Sequence, residues 1–385
     1  MKECLKTFLM YIVKILLFPL KIFPIRNYIM FCSNSGDSYS CNPKYLYNYL
    51  IQEDNYINYK FIWAFKNPDK YHFLSDNKTI LCKYRSLKFY YFKVVSKIYI
   101  SNSIEGNETP KKKKQIRIQT WHGGGCYKRV GLSEKKVGKL YKLRTKNNIK
   151  NTDYFVSSSK LFSKFVINGD FGYTGSIINC GMPRNDILLD YDKSKYIRDK
   201  VVNELKIEKE SLIVLYAPTW RYDESKIENI DFDKLVVTLE NKFNKKVVIL
   251  YRAHLHMNNR TINKLLNVSD YPDMQELLIA SDVLISDYSS AIWDYSFTYK
   301  PCFLFCPDLD YYIENRGFVE DIFSWGFPVS RNNDELIVNV EKFDSRLFVQ
   351  EMNNHHAHLG SYENGNACKT ISNVIKKITN NGRCD

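Results

Sequence analysis

Alternating strand-like and helix-like stretches predict an α/β protein made of two doubly wound, Rossmann-like domains. Strand-like runs such as YIMFCSN (28–34) and YKFIWAF (59–65) flank the helix-like run PKYLYNYLIQ (43–52). This alternation is typical of parallel sheets covered on both faces by helices. After a lysine-rich helical stretch at about 190–210 the pattern begins again with SLIVLYAPTW (211–220). The 385 residues are enough for two domains of ordinary size.

The remaining elements follow in the same order. The first half continues with the strand-like runs ILCKY (80–84), KIYISNS (97–103), QIRIQTWHG (115–123), DYFVSSS (153–159) and SIINCGMPRND (176–186), and with the helix-like run SLKFYYFKVVS (86–96). The second half continues with KKVVILYRAH (245–254), DVLISDYSS (282–290) and KPCFLFCPD (300–308). We therefore predict domains at residues 28–200 and 201–385, preceded by a separate segment at residues 1–27.

The charge and the cysteines narrow the possible partners and the compartment. A net charge of +14 fits nucleic acid, an anionic membrane surface or a phosphorylated substrate. A nucleic-acid-binding module is disfavoured, because the notable polar residues cluster at strand ends and form no basic face with interleaved aromatics. The ten cysteines are scattered without metal-site spacing, which predicts reduced core thiols and a cytoplasmic protein.

The first 27 residues indicate a membrane-surface segment. Their apolar runs are about six residues long, too short to span a bilayer. Lys6, Lys14 and Lys21 fall on one face of a helix, with Leu, Ile and Phe around the rest. This pattern predicts a helix that lies in the interface beside anionic headgroups. A first helix packed on the protein's own surface is the alternative.

Four polar clusters each follow a predicted strand. They are QTWHGGG (119–125), APTWR (217–221), YRAH (251–254) and SDYSS (286–290). In open parallel sheets, ligands bind beyond the carboxyl ends of the strands. A single cleft between the two domains would account for all four clusters.

In the first cluster, His122 is the candidate catalytic base. A histidine titrates near neutrality and can accept a proton from a hydroxyl. Gly123, Gly124 and Gly125 would let backbone N–H groups approach an oxyanion closely. The alternative is a tight turn beside a hydrogen-bonded histidine.

The second-half clusters indicate anion binding. Ser289 and Ser290 stand at the start of the predicted helix SAIWDYSF, where hydroxyls and free N–H groups converge, and Asp294 lies one turn further along. Simple N-capping is the alternative. Arg252 and His254 share one face of an extended segment and make a plausible diphosphate clamp. The chain has no Walker lysine and no GxGxxG fingerprint.

Arginine and histidine side chains outside these clusters complete the candidate residues. Arg184, in GMPRND (181–186), is an additional candidate for phosphate. His355, His356 and His358 lack cysteine or carboxylate partners at ligand spacing, so no metal site is predicted there.

Together with RGF (316–318), these motifs occur in the order found in the CDP-glycerol glycerophosphotransferases, the teichoic-acid primases, polymerases and related capsule enzymes. The chain resembles that family over about residues 115–330. The resemblance implies a GT-B-like fold, His122 as catalytic base and His254 as a second essential histidine. It also implies a donor-binding set, which is Gly123, Gly124, Gly125, Cys126, Arg184, Pro218, Thr219, Arg252, Ser289, Ser290 and Asp294. Family members commonly read Trp-His-Gly-Thr, whereas Gly124 stands here in place of the threonine.

The expected reaction is transfer of an alditol phosphate, most simply glycerol phosphate, from CDP-glycerol to a hydroxyl of a membrane-linked glycan or a teichoic acid or capsule precursor, with release of CMP. The alternative is a sugar-nucleotide glycosyltransferase of the same architecture. No cofactor is expected, and Mg²⁺ is not indicated because Asp282 and Asp287 form no adjacent carboxylate cluster. The expected partners are a CDP-alditol, a lipid-linked acceptor and an anionic membrane, and the expected location is the cytoplasmic face of the cell membrane.

Overall fold

The computed structural model of the chain describes residues 2–105, 108–219, 229–252 and 265–381. The chain divides into two compact units, which we call the first and the second unit. The first unit consists of Met1–Gly124, Val130–Asp186 and Tyr362–Asp385, and the second of Gly125–Arg129 and Ile187–Ser361.

The first unit is built on a seven-stranded sheet in the order β3-β2-β1-β4-β5-β6-β7, with every neighbouring pair parallel. Its strands are β1 (Arg26–Cys32), β2 (Lys60–Phe65), β3 (Thr79–Lys83), β4 (Ser96–Ser101), β5 (Ile116–Gln119), β6 (Tyr154–Ser157) and β7 (Ser176–Asn179). The central strands are buried, as the apolar runs predict for a sheet covered on both faces. Its α-helices are α1 (Lys2–Leu17), α2 (Cys41–Leu50), α3 (Leu87–Val95), α4 (Lys139–Lys150) and α12 (Ala367–Asn381), the last numbered by its place in the chain. Phe162–Asp170 is a π-helical segment between β6 and β7.

The second unit has a six-stranded parallel sheet in the order β10-β9-β8-β11-β12-β13. Its strands are β8 (Leu212–Tyr216), β9 (Val247–Tyr251), β10 (Leu265–Asn267), β11 (Val283–Ser286), β12 (Cys302–Phe305) and β13 (Val329–Ser330). Its helices are α5 (Tyr191–Glu204), α6 (Phe232–Phe243), α7 (Met274–Ala280), α8 (Ala291–Ser296), α9 (Leu309–Asn315), α10 (Asn333–Glu341) and α11 (Ser345–Leu359). An apolar core forms where α6 and α10 cover one face of this sheet.

Both strand orders reverse direction at the middle of the sheet. In the first unit the reversal lies between β1 and β4, and in the second between β8 and β11. The connections that leave these paired strands run in opposite directions, so a crevice opens at their carboxyl ends. The predicted doubly wound α/β architecture is confirmed, and in each unit the switch point marks where a ligand site is expected.

The units differ from the predicted domain ends because the C-terminal segment returns to the first unit. The Asp186 carboxylate caps α12 by accepting hydrogen bonds from the backbone N–H groups of Ala367 and Cys368, at 2.9 and 2.8 Å. The Tyr56 hydroxyl donates to the backbone carbonyl of Ser372 at 3.0 Å. Residues 362–381 therefore complete the first unit, although the sequence pattern assigned them to the second domain.

The N-terminal segment is helical and presents apolar side chains outward. Phe8, Ile15, Leu16, Phe18 and Ile22 are each 60–80% exposed, while α1 itself packs against α4. In the parts of the chain that the structure describes, no helix combines the length and hydropathy needed to cross a bilayer. Membrane association of residues 1–27 stays a prediction. The eight cysteines from Cys32 to Cys368 are thiols, and seven of them are buried, as expected of core residues.

Candidate functional site

His122 lies on the loop that leaves β5, next to the switch point of the first unit. Its ring is exposed, and Nδ1 lies 2.9 Å from the backbone carbonyl oxygen of Asn102, which directly follows β4. Because a carbonyl can only accept, the neutral ring carries its proton on Nδ1 and its lone pair on Nε2. The geometry thus prepares Nε2 to accept a proton, which is what a general base requires.

The backbone around His122 is held by buried polar side chains. Asn42, fully buried at the start of α2, donates to the carbonyls of Thr120 and Trp121 at 3.2 and 2.9 Å. Arg184 donates from Nη1 to the carbonyl of His122 itself at 2.6 Å and is only 5% exposed. Trp121 adopts a left-handed φ of 52°, a conformation that costs free energy in a bulky residue and persists only where neighbours impose it. In this structure Arg184 supports the histidine loop, and its predicted contact with phosphate stays a prediction.

The three glycines after His122 differ in their surroundings. None of them has a positive φ, so left-handed backbone is not the reason for glycine here. The carbonyl of Gly124 is buried and accepts a short hydrogen bond from the Ser158 hydroxyl. A Cβ at Gly125 would lie 2.2 Å from the Tyr127 ring, so close packing in the second unit requires glycine at that position. Cys126 is buried in the same segment.

GMPRND (181–186) serves largely as a structural junction within the first unit. The Glu363 carboxylate accepts from the backbone N–H of Met182 and from the side-chain amide of Asn185, both at 3.0 Å. Gly181, at φ 86°, lies against Glu363 so closely that a Cβ would approach its Oε2 to 2.5 Å. These contacts connect the motif to the C-terminal segment.

In the second unit, Pro218 and Thr219 follow β8 at the switch point. The backbone N–H of Thr219 lies 3.0 Å from both carboxylate oxygens of Asp287, and the Thr219 hydroxyl also donates to that carboxylate. Asp287 follows β11 and accepts from the backbone N–H of Tyr288 at 2.6 Å. Sequence reasoning missed this positioning role of Asp287. Its place directly after a buried strand, beside the two serines, was the available signal.

The remaining predicted residues after β11 have mixed surroundings. The Ser289 hydroxyl accepts from the backbone N–H of Ala291 at 3.2 Å, which is a capping contact, and Ser290 directly precedes α8. Asp294 is buried and accepts from the Gln275 amide at 3.0 Å. The structure therefore brings Thr219 and the serines to one sheet edge, whereas the Asp294 carboxylate lies inside the second unit.

Arg252 follows β9, the neighbour of β8. Its Nη1 donates to the backbone carbonyl of Tyr271 at 2.7 Å, and burial lowers the pKa of its guanidinium. The contact holds the side chain at the carboxyl edge of the sheet. His254, the second predicted catalytic histidine, lies outside the described residues, as does Arg221 of APTWR.

The three C-terminal histidines have separate partners within the second unit. His355 pairs with the Tyr127 hydroxyl at 2.9 Å, His356 with the Ser296 hydroxyl at 2.7 Å, and His358 with Glu320 at 3.1 Å. Across the described ranges, no three His, Cys, Asp or Glu side chains are grouped closely enough to hold a metal ion.

Comparison with known proteins identifies the family of the chain. The model of the CDP-Glycerol:Poly(glycerophosphate) glycerophosphotransferase family matches residues 16–377. The chain belongs to this family. It is therefore a phosphotransferase, and the family and enzyme class predicted from the motifs are confirmed.

Several relatives of this chain are teichoic acid polymerases or transferases. The teichoic acid poly(glycerol phosphate) polymerase of Staphylococcus epidermidis is 29% identical over 91% of this chain, which spans only 50% of that protein. The teichoic acid glycerol-phosphate transferase of Staphylococcus aureus is also 29% identical, over 92% of this chain and 94% of its own length. A solved structure of the wall teichoic acid polymerase TagF matches with a TM-score of 0.80 and 29% identity, over 94% of this chain and 91% of that one. The predicted GT-B-like fold is confirmed by this match.

Proposed function

We propose that this chain transfers glycerol phosphate from CDP-glycerol to a hydroxyl of a membrane-linked teichoic acid or capsule precursor and releases CMP. The observation that carries the proposal is the orientation of His122. In a chain of this family, an exposed histidine next to the switch point has its Nδ1 proton bound by the carbonyl of Asn102. Nε2 is therefore the ring atom that accepts the proton.

In this mechanism the acceptor hydroxyl transfers its proton to Nε2 of His122. The hydroxyl oxygen forms a bond to the phosphorus that bears the glycerol, and the bond from that phosphorus to the CMP oxygen breaks. General-base assistance of this kind is typically worth about 10²- to 10⁴-fold in rate. Stabilisation of the charge that develops on the diphosphate oxygens as CMP leaves supplies much of the rest.

The residues at the carboxyl edge of the second-unit sheet are proposed to hold the CDP donor. Thr219 is held in place by Asp287, Ser289 and Ser290 precede α8, and Arg252 is a partly buried cation after β9. Backbone N–H groups, hydroxyls and a guanidinium are the donors that bind diphosphate oxygens. His254 is assigned to the same donor site.

Because residue 124 is a glycine, only its backbone atoms can contact the donor or the acceptor. Its carbonyl is engaged by Ser158, so the peptide is fixed without a side chain of its own. We infer that any substrate group in contact with the loop there meets main-chain atoms only.

We propose that the protein reaches its acceptor at a membrane surface. The exposed apolar side chains of residues 8–22 form the patch expected of an interfacial segment, and Lys14 and Lys21 add positive charge beside it. We propose peripheral attachment at the cytoplasmic face of the cell membrane, where lipid-linked precursors would be accessible.

A donor panel tests the reaction. Purified protein is supplied with a lipid-linked acceptor and with CDP-glycerol, CDP-ribitol, a UDP-sugar or a GDP-sugar, and the released nucleotide is measured. We expect CMP from a CDP-alditol and no UDP or GDP. His122→Ala should lose about 10²- to 10⁴-fold in kcat while CDP-glycerol binding is largely retained. CMP release by His122→Ala at the wild-type rate would show that the mechanism is wrong.

Vesicle flotation tests the membrane patch. Deletion of residues 1–24 should release the protein from vesicles that contain anionic lipid. The double variant Phe18→Glu and Ile22→Glu is the milder counterpart, because it places charge on two side chains that are 60 and 80% exposed. A surface change at a distant site, such as Val237→Glu in the second unit, is the control. Full vesicle binding after deletion of residues 1–24 would count against the anchor.

A further inference from the structure

The carbonyl that orients His122 belongs to one of the best-held residues of the first unit. Asn102 directly follows β4 and its side chain is fully buried. A backbone carbonyl can hold an exposed imidazole in one orientation only if the carbonyl itself cannot rotate. The side-chain contacts of Asn102 therefore bear directly on the catalytic base.

Asn34 and Asn102 form a reciprocal pair across the switch point. The backbone N–H of Asn34 donates to Oδ1 of Asn102 at 2.7 Å, and Nδ2 of Asn102 donates to Oδ1 of Asn34 at 3.0 Å. Nδ2 of Asn102 also lies 3.3 Å from the Ser33 hydroxyl. These three hydrogen bonds connect the loop after β1 to the residue after β4, the two strands that flank the crevice.

The loop that carries Asn34 is itself fixed. Asn34, Ser35 and Gly36 have φ values of 48°, 55° and 84°, three left-handed residues in succession. The carbonyl of Gly36 accepts from the backbone N–H of Lys66 at 2.7 Å, and a Cβ at Gly36 would lie 2.9 Å from Cβ of Tyr84. Left-handed residues persist only where the surroundings over-determine them. Asn34 is therefore a firm support for its partner.

We propose that Asn34 and Asn102 are a positioning pair for His122, which fix the Asn102 carbonyl so that Nδ1 of the histidine keeps its proton and Nε2 faces the acceptor hydroxyl. The proposal rests on the proposed role of His122 as base. Neither asparagine touches the reacting atoms in this mechanism. Their effect passes through the carbonyl, as outer-shell partners orient the histidines of metal sites.

The chain offers a graded series of variants. Asn102→Ala removes all three hydrogen bonds of the pair. Of these three bonds, Asn34→Gly removes only the one to the Asn34 side chain, although it also removes the hydrogen bonds of the Asn34 amide to hydroxyls of its own loop. Glycine tolerates the left-handed backbone. Asn34→Asp keeps the accepting oxygen, and aspartate also tolerates that conformation. Gln115→Ala is the matched control, because Gln115 is a buried amide of the same unit that donates to the carbonyls of Lys93, in α3, and Ser96, the first residue of β4.

Steady-state kinetics of the full chain separate positioning from simple stability. Asn102→Ala should lose about 10- to 100-fold in kcat, the loss typical of a misplaced catalytic group, with an unchanged KM for CDP-glycerol. Asn34→Gly should lose less, and Asn34→Asp should recover most of that loss. Gln115→Ala should lower thermal stability and leave kcat unchanged.

A spectroscopic readout follows the ring directly. In ¹⁵N-histidine-labelled protein, assigned through His122→Ala, the neutral His122 signal should report the Nδ1–H tautomer. In Asn102→Ala it should shift towards a mixture with Nε2–H, while the signals of the other six histidines stay in place. An Asn102→Ala variant with wild-type kcat and an unshifted His122 signal would overturn the proposal. If instead His122→Ala remains fully active, the proposed function fails, whatever the asparagine variants do.

Discussion

Acid should destabilise the second unit through one buried histidine. Burial lowers the pKa of His355 to about 3, from an ordinary value of 6.5, with smaller contributions from His356 and His358. Its ring stacks at 7° to that of Tyr127 and shares a hydrogen bond with the tyrosine hydroxyl. Proton uptake must therefore occur mainly in the unfolded chain.

The sign and the magnitude follow from proton linkage. Above pH 6.5 both folded and unfolded states hold His355 neutral, so its titration has no effect on stability. As the pH falls below 6.5 the unfolded state binds a proton that the folded state refuses, and stability is lost until the pH reaches the folded pKa of about 3. At pH 5 the difference of 1.5 units from the unfolded pKa corresponds to a loss of about 2 kcal/mol.

Urea unfolding of wild-type protein and His355→Phe at pH 7.5 and pH 5 measures the contribution of His355 to this loss of stability. Whatever the variant costs at pH 7.5, the stability that it loses between the two pH values should be about 2 kcal/mol smaller than in the wild type. His72→Phe is the control, because His72 is exposed and lies in the first unit, away from His355. Equal acid losses in His355→Phe and in the wild type would refute the assignment of a neutral, buried His355.

Two other changes test polar contacts between side chains, one in each unit. Thr219→Val removes the hydroxyl that donates to Asp287. The less ordered loop should cost about 1.4 kcal/mol of binding free energy, so the Kd for CDP-glycerol measured by calorimetry should rise about tenfold. An unchanged Kd would show that CDP-glycerol binds elsewhere. Glu105→Gln leaves the Lys93 ammonium, 4% exposed, without the carboxylate 2.6 Å away, and should cost about 3–5 kcal/mol in urea unfolding. Glu53→Gln breaks a partly exposed pair instead and should cost about 1 kcal/mol or less, so equal costs would contradict the role of burial.

The sequence pattern located the strands and the strand-end motifs because both depend on local order. Apolar runs mark buried parallel strands, and the polar residues directly after them must lie at the carboxyl edge of the sheet. His122 after β5 and Thr219 after β8 were predicted on this ground, and the structure places both there.

The partners of those residues could not be predicted, because they are distant in the chain. Asn102 is 20 residues from His122, and His355 is 228 residues from Tyr127. No periodicity encodes such pairs. The motif GMPRND makes Arg184 a candidate for phosphate, whereas its buried contact with the His122 carbonyl depends on tertiary packing that the local sequence does not encode.

The return of the C-terminal segment to the first unit has a consequence for synthesis. Residues 362–381 supply α12, which packs against α2 and whose N-terminus is capped by Asp186. During translation these residues emerge only after the whole of residues 187–361. The first unit therefore leaves the ribosome with the surface that α12 covers still exposed, although domains often fold as they emerge. The first unit should therefore gain its last helix only after the second unit has been made, and a chaperone that shields apolar surface would have its longest opportunity to bind where α12 will pack.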